Sequence, residues 1–210
     1  MSSTKENILK KIYKAKKQPT SMPFPEIKEA NHATVFKPSQ DEITAAFAEN
    51  FSKLQGRFAY CANEQELVVQ LSALVEARKW KKIYCREPDM INILQGQGFH
   101  ALAFAGADHH EAAITSCEQL IARTGSILLS SAGASGRTTS VYTPIHICIA
   151  FSDQLVYDIS DGLKNVQEKY DALPSLITLA SGPSRTADIE KTLVTGVHGP
   201  REVFCFVVDK

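Results

Sequence analysis

The sequence has little of what marks most special-purpose chains. It carries one tryptophan, three methionines and no net charge, with 23 basic residues against 23 acidic among 210. A neutral chain lacks the clustered positive field that nucleic acid requires, so no nucleic-acid partner is expected. No apolar run approaches the ~18 residues of a membrane span, so no membrane partner is expected either. The opening MSSTKENILKKIYKAKK has no apolar core followed by a small-residue cleavage site, and no arginine precedes Arg57. Neither a secretory signal nor an Arg-rich transit peptide is therefore expected. Five cysteines (Cys61, Cys85, Cys117, Cys148 and Cys205) stand singly, without a C-x-x-C pair. An odd, scattered set argues for reduced thiols in a cytoplasmic protein, and against an iron–sulfur cluster or structural zinc in this chain. Neither G-x-G-x-x-G nor a Walker lysine occurs, so dinucleotide and P-loop binding have no support. There are no internal repeats and no low-complexity tracts.

What remains is ordinary globular composition, 44% hydrophobic and 22% charged, enough to bury a core for one α/β domain with a small N-terminal extension. The division is expected near residue 40. Residues 1–40 hold a helix and an extended proline-containing strap, and residues 41–210 hold the α/β domain. In the helix (3–17), Ile8, Leu9, Ile12 and Tyr13 form an apolar stripe opposite a lysine face, which suits docking by the stripe or contact with a partner subunit. The strap carries Pro19, Pro23, Pro25 and Pro38.

Beyond it the periodicity alternates. Helical spacing over 41–54 is followed by a strand at 57–61, and Asn63 caps a helix running to about Lys79. A strand at 82–85, a helix at 89–95 and a strand at 100–104 follow. Strands are then predicted at 112–114, 126–130, 145–151, 176–180 and 203–208. A turn or helix begins at Asp153-Gln154, and a helix at about 163–173 is capped by Ser160 or Asp161 and ended by Pro174. Strand–helix–strand alternation of this length marks a largely parallel sheet.

Polar residues concentrate between two Gly-Pro turns, Gly182-Pro183 and Gly199-Pro200. In Gly182-Pro183-Ser184-Arg185-Thr186, Thr186 is read as the N-cap of a helix with Asp188 and Glu190 in its first turn. Such a terminus, flanked by hydroxyls and Arg185, suits a carboxylate or phosphate. Capping and dipole complementation alone account for Ser184, Thr186 and Asp188 equally well. His198 is the group placed to titrate near neutral pH, and Arg201 can grip a carboxylate with two hydrogen bonds. Upstream, Thr124-Gly125-Ser126 and Gly133-Ala134-Ser135-Gly136-Arg137 offer backbone amides to an anion. His146, on an apolar strand, reads as a satisfied core histidine. Asp108-His109-His110-Glu111 is not read as a metal site, because adjacent histidines diverge on any regular backbone. The cysteines sit in apolar context, where thiols are inert.

GPSRTADIE followed by VHGPR, with IARTGSILLSSAGASGRTTSVYTPIHICI upstream, resembles the signature of the LUD domain family, found in lactate-utilization C subunits and their relatives. The resemblance implies a three-layer α/β/α fold with a largely parallel sheet, similar to the NagB/RpiA/CoA-transferase-like fold. It implies a cytoplasmic subunit for the oxidation of L-lactate to pyruvate. Iron–sulfur clusters would reside in partner proteins, with no cofactor in this chain. The chain would supply a docking surface and a pocket for a small carboxylate or phosphate. That pocket would be built from Gly182, Ser184, Arg185, Thr186, Gly199 and Arg201, with Thr124, Gly125 and Arg137. Arg123 departs from the acidic residue common before the Thr-Gly pair. No glutamate matches the glutamyl nucleophile of CoA-transferases, although Glu118 lies near. Two other readings stay open. One is a self-sufficient enzyme on a small carboxylate, sugar phosphate or acyl-CoA, with Asp188 or Glu190 as general base and His198 as acid. The other is a non-catalytic anion sensor.

Overall fold

A computed structural model describes residues 4–17, 42–104, 110–189 and 192–210, with the backbone alone at 187–189 and 192–193. The proline strap, Asp108, His109 and Glu190 lie outside the described residues. The chain divides into two units, Met1–Pro38 and Ser39–Lys210. In the first, helix α1 (Thr4–Lys16) buries none of its residues.

The second unit runs α2 (Ile43–Lys53), β1 (Arg57–Cys61), α3 (Glu64–Arg78), β2 (Ile83–Cys85), α4 (Pro88–Gly96), β3 (Leu102–Ala103) and β4 (Ala112–Thr115). It continues with β5 (Gln119–Ile121), β6 (Ser126–Ser130), α5 (Thr139–Tyr142), β7 (Ile145–Phe151), β8 (Leu155–Val156) and α6 (Ile159–Lys169). It ends with β9 (Ile177–Ala180), β10 (Arg185–Ile189), β11 (Thr192–Thr195) and β12 (Glu202–Val208). The Asn63 cap is present, its side chain accepting from the Glu66 amide at 2.9 Å.

Six strands form the central sheet in the order β1-β12-β7-β4-β2-β3, and every pairing is parallel. The two longest strands, β7 and β12, sit side by side near its middle, with Val203 opposite His146 and Cys205 opposite Cys148. Their unbroken apolar runs are explained by burial on both faces, as parallel sheets require. On one face Leu67 and Leu71 of α3 and Met90 and Leu94 of α4 pack on Ile83, Ile114, Ile147 and Phe206. On the other, Phe47 and Phe51 of α2 cover Cys148, Ala150, Cys205 and Val207.

A second sheet, β8-β5-β6-β9, shares that second face. Along β6 the side chains alternate. Ile127 points into the core beneath α2, and Leu128 points outward to Val166 of α6. The parallel central sheet between helical layers is thus as the sequence implies. The short strands β5 and β8, which complete the extra sheet, are additional to it.

Two local readings are corrected. The helix expected from about residue 163 begins at Ile159 and ends at Lys169. Its cap is Asp158 rather than Ser160 or Asp161. Asp158 accepts from the Ser160 amide at 3.3 Å, while Asp161 accepts from the Asp158 amide at 3.2 Å. Thr186 caps no helix. It lies in β10, which pairs antiparallel with β11, Thr186 opposite Val194 and Ile189 opposite Thr192. Threonine, valine and isoleucine favour extended backbone, and a partner strand satisfies the amides that a helix would have used.

Candidate functional site

The two Gly-Pro turns meet because backbone hydrogen bonds tie their loops together. The Ser184 amide donates to the Pro200 carbonyl at 2.9 Å, and the Gly196 amide to the Ser184 carbonyl at 3.0 Å. The Arg201 amide donates to the Pro144 carbonyl at 2.7 Å, anchoring the loop to the entry of β7. Gly196 has φ +80°, and a Cβ there would lie 2.0 Å from Cγ of Arg201. Only glycine allows the arginine stem to cross at that point.

This arrangement leaves two cavities that share His198, Gly199 and Val141. The outer one, about 430 Å³, is lined by Tyr142, Thr143, Pro144, Gly196, His198 and Arg201. The inner one, about 310 Å³, lies between the two sheets. His146 and Val203 line it from the central sheet, Leu129 and Thr178–Ala180 from the second, and Ser184 and His198 from the loops. Among the described residues, the side chains of Ser184, His198 and Arg201 make no hydrogen bond or ion pair. Among the described residues, the outer cavity has no carboxylate in its lining. Glu202, adjacent to Arg201 in the chain, is drawn off by Arg78 (3.0 and 2.7 Å) and Arg57 (2.9 Å).

His146 is 1% exposed. Burial pushes its pKa down from 6.5 to about 4, so the ring is neutral at neutral pH. Its Nε2 lies 2.8 Å from the Thr115 hydroxyl. Apart from the Pro-x-His spacing before β7, local pattern does not mark a histidine in an apolar strand as part of a cavity lining.

Other residues singled out by sequence go elsewhere. The Arg185 guanidinium donates to the Leu54 carbonyl at the C-terminus of α2. Gly182 (φ +77°) lines the inner cavity and also abuts Leu54, where a Cβ would lie 2.4 Å from the carbonyl oxygen. Gly125 (φ +58°) packs on the backbone of α2, a Cβ there falling 2.4 Å from the Phe51 nitrogen. The preceding Thr124 has a buried hydroxyl without a partner among the described residues. Arg137 donates to the Ser175 hydroxyl at 2.5 Å. Thr186 is held in the hairpin, where the backbone of Asp188 also lies. None of Arg185, Thr186, Thr124, Gly125 or Arg137 lines the cavities around His198.

The glycine-rich turn instead borders a small cavity of about 90 Å³ with Glu87, Glu118, Lys169 and Tyr170. Burial raises the Glu118 pKa, but hydrogen bonds from Lys169 (2.8 Å), Ser130 (2.5 Å) and Tyr170 (2.8 Å) outweigh it and leave the carboxyl below its usual range. Both carboxylate oxygens are occupied, so Glu118 serves as a strut between β6 and the end of α6. Cys117 lines the same cavity, yet a hydrogen bond to Cys148 and burial hold its thiol well above the usual range, so it supplies no thiolate. Arg123, where an acidic residue was expected, pairs with Asp158 at 2.6 Å and ties β5 to the α6 cap. All five cysteines are buried and unpaired by disulfides. Among the described residues no group of three or more His, Cys, Asp or Glu is placed to hold a metal, and no helix is long and apolar enough to cross a membrane.

Comparison with known proteins bears on this geometry. Residues 104–208, half of the chain and nearly all of the cavity-forming part, match the family model of the LUD domain. The chain belongs to the LUD domain family. A Lactate utilization protein C of Deinococcus radiodurans is 37% identical over 109 residues, 51% of this chain and 50% of that protein. One from Anoxybacillus flavithermus is 27% identical over 203 residues, 90% of this chain and 91% of the relative. In most of these alignments the chain spans about half or less of the curated relative's length. The crystal structure of a DUF162 family protein from Deinococcus radiodurans superposes with a TM-score of 0.57 at 21% identity, covering 82% of this chain and 99% of that one. That protein shares this fold.

Proposed function

We propose that this LUD-domain protein is a subunit of an L-lactate utilization system, in which it binds the small carboxylate and docks iron–sulfur partner proteins that carry the electrons. The names of its relatives support the system. The observation that carries the pocket is Arg201, a guanidinium that has no counter-charge among the described residues, on a cavity whose described lining holds no carboxylate. An arginine unpaired among the described residues, on the same cavity as an imidazole, suits a monoanionic carboxylate, which guanidinium grips in a planar fork. By this reading His198 and Arg201 hold the carboxylate where the two cavities join. Electron transfer is assigned to the partners.

Calorimetric titration of the full chain with L-lactate, pyruvate, a sugar phosphate and coenzyme A tests the pocket. Lactate or pyruvate binding supports the reading, and binding of the phosphate or coenzyme A alone turns it toward an independent enzyme. Iron–sulfur absorbance is expected only in complexes co-purified with partner proteins. Such absorbance from the chain alone overturns the division of labour.

A further inference from the structure

The inner cavity has a feature that the carboxylate site does not explain. His146 is almost wholly buried, yet it lines this cavity together with Ser184 and His198. Its one hydrogen bond joins Nε2 to Thr115, and among the described residues nothing hydrogen-bonds Nδ1. Nδ1 is not among the sealed polar atoms without a partner, so it is open to the cavity and available to a ligand there. The register explains its placement. His146 stands at the start of β7 opposite Val203 in the neighbouring strand, on the face turned toward the second sheet. Leu129, Val141, Ala180 and Val203 add apolar wall that suits a short carbon skeleton, and Ser140, Thr178 and Ser181 line the cavity beside them.

We propose that His146 is a specificity residue, hydrogen-bonding through Nδ1 the 2-oxygen of a small 2-hydroxy or 2-oxo acid whose carboxylate lies at His198. This rests on the carboxylate reading above and extends it to the second functional group of the ligand. The Thr115 hydroxyl decides which form can be accommodated. When Nε2 carries the proton, it donates to Thr115 and Nδ1 accepts from a ligand hydroxyl. When the Thr115 hydroxyl rotates to donate to Nε2, the proton sits on Nδ1, which then donates to a ligand carbonyl. A neutral ring has both tautomers available, so one side chain serves the alcohol and the ketone alike. No proton is added to the site or removed from it between the two modes. A site for a reversible hydroxy acid/oxo acid couple needs that symmetry, and a charged or doubly donating ring would lack it.

The test is calorimetry of the full chain with L-lactate, pyruvate and propanoate, which keeps the carboxylate but lacks the 2-oxygen. The wild-type protein is expected to bind lactate and pyruvate roughly tenfold more tightly than propanoate, the value of one hydrogen bond. In His146→Leu all three are expected to bind with the affinity of propanoate. A second readout needs no variant. Saturating lactate shifts the His146 Nδ1 nitrogen resonance of the wild-type protein, and propanoate at saturation does not. The assignment is overturned if the preference survives in His146→Leu, if wild-type protein binds the three acids equally, or if lactate leaves the His146 resonance unmoved. In those cases the carboxylate site stands. If none of the acids binds, the proposed function falls and this assignment with it.

Discussion

The two sequence blocks that resemble the LUD signature end in opposite conditions. In the first, residues 121–149, most polar groups are consumed by packing. Asn50 of α2 donates to the Ala122 carbonyl at 2.9 Å, Arg123 pairs with Asp158, and Arg137 is tied to Ser175. In the second, residues 181–201, Ser184, His198 and Arg201 keep their hydrogen-bonding capacity and face cavities. Each block also contains exceptions. Arg185 is spent on Leu54, His146 has a nitrogen left over, and the Thr124 hydroxyl has no partner among the described residues. Membership of a motif therefore does not separate residues spent on packing from those left open beside a cavity in this chain.

Substitutions can break this contrast, and the largest effect is expected in the sealed block. Gly125→Ala forces a Cβ into the α2 backbone at positive φ. It is expected to cost about 3 kcal/mol or more, measured by denaturant unfolding. Gly133→Ala, where a Cβ meets nothing within 4 Å, should stay within about 0.5 kcal/mol.

The next effect is one of pH. His146 has a folded pKa near 4 against 6.5 when unfolded, so the unfolded chain takes the proton first. Its contribution is complete above pH 6.5 and is lost as pH falls toward 4, a change of about 3 kcal/mol. His146→Gln should flatten the unfolding free energy across that window. The lowered carboxyls of Glu118 and Asp158 act further down, their contribution being lost as pH falls below the usual carboxyl range.

Asp158→Ala removes both the α6 cap and the partner of Arg123, and should cost about 2 kcal/mol by thermal or chemical unfolding. Arg201→Ala should change stability by less than about 0.5 kcal/mol, because no described group depends on its side chain.

The sequence made the framework legible where burial is strong. β1, β6, β7 and β12 announce themselves as compact apolar runs, and α3 by its Asn63 cap. β5 and β8 escape notice because strands of two or three residues have no periodicity to read, and their pairing partners lie far along the chain. The Thr186 helix failed for a related reason. A threonine followed by acidic residues fits a cap, but β-branched residues also fit a hairpin, and pairing with Val194 decides. At the site, Arg185, Arg137 and Arg201 look alike in sequence. Only the fold shows that the first reaches a carbonyl 131 positions away, the second a serine 38 positions away, and the third no partner among the described residues. His146 reads in sequence as a satisfied core group, and its Nε2 is satisfied. The open Nδ1 depends on where the second sheet leaves a gap, which local pattern does not encode.

The most direct test compares those three arginines in one titration. L-lactate is titrated into the full chain and into Arg201→Ala, Arg185→Ala and Arg137→Ala. The account predicts that Arg201→Ala weakens binding at least about tenfold, while the other two bind as the unaltered protein does. Unchanged affinity in Arg201→Ala, with loss in Arg137→Ala or Arg185→Ala, would contradict it and place the carboxylate elsewhere.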